Sequence, residues 1–279
     1  MPQSTMGYMP LASYPEVVGD DAIGAAVAFA ALLTARLEVT TFSVDIPRVS
    51  SGFGDYLVNV AGMVRAAEEK SRAECARLQG LVQKAAAAQQ TVNVATRHVP
   101  LGAMTEAAVA EARHYDLTLL PWSAETGASQ DLTQALVFGS GRPSVLVPPS
   151  PLPERLDHIA IAWDASRVAA RALGDALPLL SAGGRISVLT VEDEKPLSGP
   201  DIAATLAAAL QRRGLDATPV KVGLGSGRIA EALQQAALSH GAGLLAMGGY
   251  GHSRIRDFIL GGATKGVLAR LQLPVLLSH

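Results

Sequence analysis

The chain has 279 residues, 49% of them hydrophobic and 17% charged, with a net charge of −2. That length fits about two domains with substantial cores, and the balanced charge lacks the basic footprint of a nucleic-acid binder. Cys75 is the single cysteine, which rules out a disulfide within the chain and suits a reducing compartment. The opening MPQSTMGYMPLASYP has no basic leader, and the Ala-rich run at 22–35 is shorter than the roughly 20 residues that cross a bilayer. The sequence therefore predicts a soluble, cytoplasmic protein without membrane contact.

A first strand is expected at 7–13, weakened by prolines in it and close by. An Ala-rich helix follows at 20–36, with Asp20 and Asp21 near its start. LEVTTFSV (37–44) alternates and is β-branched, as a strand requires. Residues 46–55 carry Pro, Ser and Gly and read as a loop, and 56–88 is a long helical pattern with a candidate break at Gly80. Its charged face, from Arg65 to Glu74, reads as solvated. Strand 91–99, helix 102–114, strand 117–121, helix 132–138 and strand 144–148 complete the first half. This alternation calls for a parallel sheet with helices on both faces.

The Pro-rich connector PSPLPE (149–154) opens a second half of the same order. Strands are expected at 159–163, 185–191, 217–222, 244–247 and 274–277, with helices at 167–180, 201–213, 227–240 and 264–271. An acidic, Pro-containing loop spans 192–200. The two halves share residues as well as order. GAMTEAAVAEARHYDLTLLP (102–121) matches GRIAEALQQAALSHGAGLLAMG (227–248) with two residues inserted, and PSVLVP (143–148) matches PVLLSH (274–279). A repeat this long predicts two tandem domains of one fold, at 1–150 and 151–279.

The stretch GLLAMGGYGHSRIRDFILGGAT (243–264) carries the strongest chemistry. Gly248, Gly251 and Gly261 follow an apolar strand. Glycines there allow positive φ and close backbone approach, and a helix start beyond them offers N–H groups to phosphate. Two tight turns that bind nothing explain the same pattern. The first half reads Pro121-Trp122-Ser123-Ala124 where the second reads Gly248-Gly249-Tyr250-Gly251. Only Gly139-Ser140 keeps a trace of the later glycines, so the first half is expected to be a degenerate partner.

Asp164 ends the first strand of the second half, where open parallel sheets bind ligands. It also suits a helix N-cap before Arg167, as does Ser166. Trp163 is assigned to the core ahead of a stacking role. His252 and Arg254 could meet phosphate or solvent, and Arg256 reads as a solvated face. No histidine pair has zinc-ligand spacing. Gly225-x-Gly227-x-x-Ala230 loosely fits a dinucleotide fingerprint, but no acidic residue closes a strand about 20 positions on. A plain strand-to-helix turn is preferred there. No Walker pattern or nucleophile elbow is present, and Cys75 reads as a packed thiol or an exposed oxidisable one.

GGYGHSRIRDFILGGAT resembles the C-terminal signature of universal stress proteins, Gly-x2-Gly-x9-Gly-(Ser/Thr), at Gly248, Gly251 and Gly261. The departure is Gly262, which replaces the hydroxyl residue. The resemblance spans 155–279 and, more faintly, 1–150. It implies an α/β fold in each domain, a doubly wound parallel five-stranded sheet of order 3-2-1-4-5. It further implies a stress-response protein that binds ATP or AMP in the second domain and signals by conformation, with slow ATPase activity at most. By this resemblance Asp164 and Val191 lie near adenosine, Gly248, Gly251, Gly261, Gly262, Ala263 and Thr264 surround ribose and phosphates, and Met247 is a further nucleotide-binding residue. A divalent ion such as Mg would arrive only with the nucleotide. The expected partners are the adenine nucleotide, protein partners of unknown identity and, since family members dimerise, a second copy of the chain. A scaffold or small-ligand sensor of the same fold is the alternative, favoured by Gly262.

Overall fold

The computed structural model describes residues 5–47, 60–123, 127–191, 201–223, 229–249 and 271–279. The order is β1 (Met6–Ala12), α1 (Asp20–Leu33), β2 (Arg36–Asp45), α2 (Val60–Ala85), β3 (Thr91–Pro100), α3 (Met104–Ala112), β4 (Leu117–Pro121), α4 (Gly127–Gly139) and β5 (Ser144–Val147). The second half gives β6 (His158–Ala162), α5 (Arg167–Ala176), β7 (Arg185–Val191), α6 (Ile202–Arg212), β8 (Asp216–Val222), α7 (Ile229–Ser239), β9 (Leu244–Gly248) and β10 (Val275–Ser278). The expected loop at 192–200 and most of the helix at 264–271 lie outside the described residues.

Each half has the expected strand order 3-2-1-4-5, but the sheets do not stand apart. They fuse into one ten-stranded sheet, β3-β2-β1-β4-β5-β10-β9-β6-β7-β8. Within each half the pairing is parallel, and the joint is antiparallel: Val275 faces Leu146, Leu276 faces Val145 and Leu277 faces Ser144. The repeat in sequence equates Val145 with Leu276. Under that equation the outer two pairs exchange, so an approximate two-fold axis passes through the Val145–Leu276 pair. The strands of the two halves therefore run in opposite directions.

Central strands β4, β6 and β9 are buried at every residue, as a sheet covered on both faces demands. One apolar cluster joins Ile23 and Phe29 of α1 and Leu78 of α2 to Ala172 and Leu173 of α5 and Leu210 of α6. On the opposite face, Trp122 and Val137 of the first half pack with Leu233 and Ala237 of α7. Cores of both faces thus cross the joint. The outer strands are defended differently: β3 is exposed at most positions and ends on Pro100, and β8 carries Pro219 and Lys221. Proline and charge on an edge discourage further strand pairing.

Several element bounds differ from the sequence reading for local reasons. Helix α5 stops at Ala176, and a 3-10 turn takes over at Leu177–Leu179. Pro178 lacks the N–H that an α-helix would need there. Helix α2 continues through Gly80, which has open space around it, because Leu78 and Val82 on either side are buried. Cys75 is buried on that helix and takes the packed role.

Strand β1 is complete despite Pro10. Its ladder with β4 pairs Gly7 with Leu117 and Tyr8 with Thr118 and goes no further. The Met6 carbonyl accepts from Asp116 N–H on that side, and alternate residues share its direction. Pro10 thus turns its donor-less nitrogen to a place where the ladder has already ended. Beyond Tyr8 the two strands part.

Candidate functional site

In the second half, β6 leads through α5 to β7 on one side, while β9 lies on its other side. Strand order reverses between β6 and β9, and ligands of open α/β sheets bind beyond the carboxyl ends of such a pair. The ladder pairs Ile159 with Leu244, Ala160 with Leu245 and Ile161 with Ala246. Past those rungs lie Asp164 on one side and Met247 and Gly248 on the other.

The β6-to-α5 turn is tight and locally determined. Ser166 N–H donates to Asp164 Oδ1 at 2.9 Å. Ser166 Oγ accepts from Ala169 N–H at 3.2 Å and caps α5. Such a cap is worth about 1 kcal/mol. Ala165 between them sits at φ 61°, a left-handed conformation that a non-glycine residue adopts at some cost. Of the two cap candidates, Ser166 takes the role. Asp164 shapes the turn with one oxygen, and among the described residues none donates to the other. It is half-buried at the crevice.

Val191 ends β7 and is half-buried. Its strand is tied to the β6 end by Trp163 N–H to the Leu189 carbonyl at 2.8 Å and by Thr190 Oγ1–H to the Trp163 carbonyl at 3.0 Å. Trp163 packs against the apolar cluster of the α5 face, which is the core role. Met247 is buried in the opposite cluster and forms floor rather than rim.

Gly248 is constrained by protein. A Cβ there would come within 2.6 Å of Val168 Cγ2, 2.7 Å of the Val168 carbonyl carbon and 2.8 Å of Ala169 N. Real Cβ atoms do not approach so closely. The start of α5 is therefore seated directly on the end of β9, and only glycine permits it. Gly249 is held by the end of β10 in its own half: its N–H donates to the Ser278 carbonyl at 2.6 Å, and its carbonyl accepts from His279 Nδ1 at 3.0 Å. The His279 ring in turn packs edge-on against Phe138 of α4, with centroids 5.0 Å apart. A Cβ on Gly249 would lie 3.1 Å from Val137 Cγ1 of the same helix. No sequence signal pointed to His279 or Val137 as braces: His279 follows β10, and Val137 arrives from α4 through the joint between halves.

The hydrogen bonds verify the alignment of the two halves. Trp122 N–H donates to the Val147 carbonyl as Gly249 N–H does to Ser278, and Thr118 to Pro143 as Leu245 to Pro274. Pro121 thus stands where Gly248 does. Gly251, Gly261, Gly262, Ala263 and Thr264 lie outside the described residues, as do His252, Arg254, Arg256 and Gly225. Among the described residues no cluster of three or more His, Cys, Asp or Glu could hold a metal, and no helix is long and apolar enough to cross a membrane.

Doubly wound halves with a strand-end crevice, one of them leading into a glycine turn, define a Rossmann-like α/β protein. Residues 155–279 match the model of the universal stress protein family. A universal stress protein from Archaeoglobus fulgidus DSM 4304 is 14% identical and superposes with a TM-score of 0.67 over 97% of this chain and 95% of that one. The likeness extends the fold to the first half. A universal stress protein in complex with cAMP is 19% identical over 44% of this chain and 97% of its own, with a TM-score of 0.32. Among curated proteins none matches the chain.

Proposed function

We propose that the second half binds an adenine nucleotide, ATP or AMP, in the crevice between β6 and β9, and that the chain acts as a stress-response regulator through nucleotide-dependent conformation rather than turnover. The observation that carries this reading is the half-buried carboxylate of Asp164 at the switch point, one oxygen engaged by Ser166 N–H and the other available to a hydroxyl or amine donor. These described residues fit the adenosine end, with Val191 as an apolar wall. The phosphate end would fall to the backbone of Gly251, Gly261, Gly262, Ala263 and Thr264, with Mg entering only alongside the nucleotide. A nucleotide supplies charge and a hydrolysable anhydride; the chain's own residues orient it. No general base is assigned, so hydrolysis is at most slow.

A specific observation favours a second reading, a scaffold or small-ligand sensor. Gly248 has a sufficient structural reason in the seat of α5, so its presence does not by itself require a ligand. Calorimetric titration of the purified chain with ATP, AMP and NAD separates the two. Saturable adenylate binding without NAD binding is expected. Silence toward both adenylates would overturn the nucleotide reading and leave the sensor.

A further inference from the structure

The first half contains a cavity of about 280 Å³ at its own switch point. Its walls begin where β1 and β4 part: Pro10, Leu11 and Ala12 on one side, Leu120 and Pro121 on the other. Val44 closes the β2 end, and Ile23, Leu78 and Leu132 supply apolar depth from the helices. The place is the one that Asp164 and Gly248 occupy in the second half. Counting from the first rung of each ladder, Ala12 falls where Asp164 does and Pro121 where Gly248 does. The carboxylate and the glycine that mark the second-half crevice are both replaced by apolar side chains.

The connection between strand and helix makes the room. Residues 163–166 suffice to reach α5, whereas residues 13–19 lead from β1 to α1. This longer connection contributes Tyr14, Glu16, Val17 and Val18 to the wall. Helix α1 consequently does not seat on the end of β4 as α5 does on β9, and the space between is left as cavity.

Among the described residues the charges at the lining have one sign: Glu16 and Asp131 are its carboxylates, both exposed, and no described Lys, Arg or His lines it. An anion would meet these two negative groups and, among the described residues, no compensating positive charge. A small apolar molecule that is neutral or cationic gains from burying its surface and can donate to a carboxylate at the rim.

We infer that the first half is a binding site for a small apolar molecule without negative charge, an amine fitting its rim best. The site stands independently of nucleotide binding in the second half. N-phenyl-1-naphthylamine and 1-anilinonaphthalene-8-sulfonate test it, because they share one ring skeleton and differ by a sulfonate. The neutral amine is expected to brighten on the full chain with saturation and to bind at least tenfold more tightly than the sulfonate. Excess ATP should leave that signal unchanged. Val18→Trp and Met104→Trp project bulk from two different segments of the lining and should each abolish it in protein whose circular dichroism is native. Glu16→Lys with Asp131→Lys, both at exposed positions, should narrow the preference between the two dyes. No saturable signal from the amine, equal affinity for both dyes, displacement by ATP, or an undiminished signal in whichever tryptophan variant folds would overturn the inference.

Discussion

The end of β4 and the end of β9 occupy the same place in two copies of one fold, and they are built in opposite ways. At β9 the strand ends on Gly248, and α5 sits on it at van der Waals limit. At β4 it ends on Pro121, α1 starts farther along the chain, and a cavity lies between. The contrast shows that a strand-end crevice is governed by the length of the following connection as much as by glycine. A short, capped turn brings a helix N-terminus close to the ligand position. A long one withdraws it and leaves apolar walls. A helix N-terminus brought close suits phosphate, and a withdrawn one does not.

The largest effect is expected from Gly251→Val. Calorimetry should show adenylate binding abolished while circular dichroism and the melting temperature stay near the parent's, since a branched side chain blocks backbone approach. The parent should bind one nucleotide per chain. Two per chain, or unchanged affinity in the folded variant, would erase the distinction between the halves.

Next is stability. Gly248→Ala forces a Cβ onto the Val168 backbone and should cost about 1–3 kcal/mol, an overpacking penalty. Pro121→Ala at the equivalent position should cost less than half as much. Denaturant melts of the two variants make the comparison directly, and equal losses would mean that α5 is not seated on glycine for a structural reason.

A smaller change is expected at Gly262, which lacks the hydroxyl of the family pattern. A hydrogen bond to a charged group is worth about 1.5–3 kcal/mol, so Gly262→Ser should tighten ATP severalfold or more and AMP less. Titration of the folded variant with no gain for ATP would place position 262 away from phosphate.

The smallest expected effect concerns His158, at the start of β6, where the first half has Met6. Burial, with Arg185 nearby, holds its imidazole below the ordinary value of 6.5. The buried ring bonds Ser187 Oγ at 2.9 Å. In the unfolded chain this histidine takes a proton near 6.5, whereas the folded chain resists it. Stability should therefore fall as pH drops from about 6.5 through the lower folded value. His158→Met should flatten that acid limb in thermal melts. An unaltered limb would assign it to other groups.

Much of this was legible in sequence because it is written locally. Alternation in LEVTTFSV marks β2, and repeated residues at 102–121 and 227–248 mark the duplication. The position of Asp164 and Gly248 at strand ends was read from the apolar runs before them. What sequence could not express was who stands opposite. Glycine at 248 announces a close approach without saying that the neighbour is Val168. The β5–β10 joint has no periodic signature, since Ser144–Val147 reads as a buried strand whichever partner it takes. The first-half cavity was missed for a related reason. The loss of glycines reads as loss of function when judged against phosphate alone.

The antiparallel joint also bears on heredity. Two identical chains meeting at such an axis would share every substitution, so a change that ruined one crevice would ruin its mate. Here the axis through Val145 and Leu276 relates segments of a single polypeptide. Each can drift without dragging the other along, and dilution cannot separate them, because the contact is intramolecular. A substitution in one copy therefore leaves the sequence of the other unchanged.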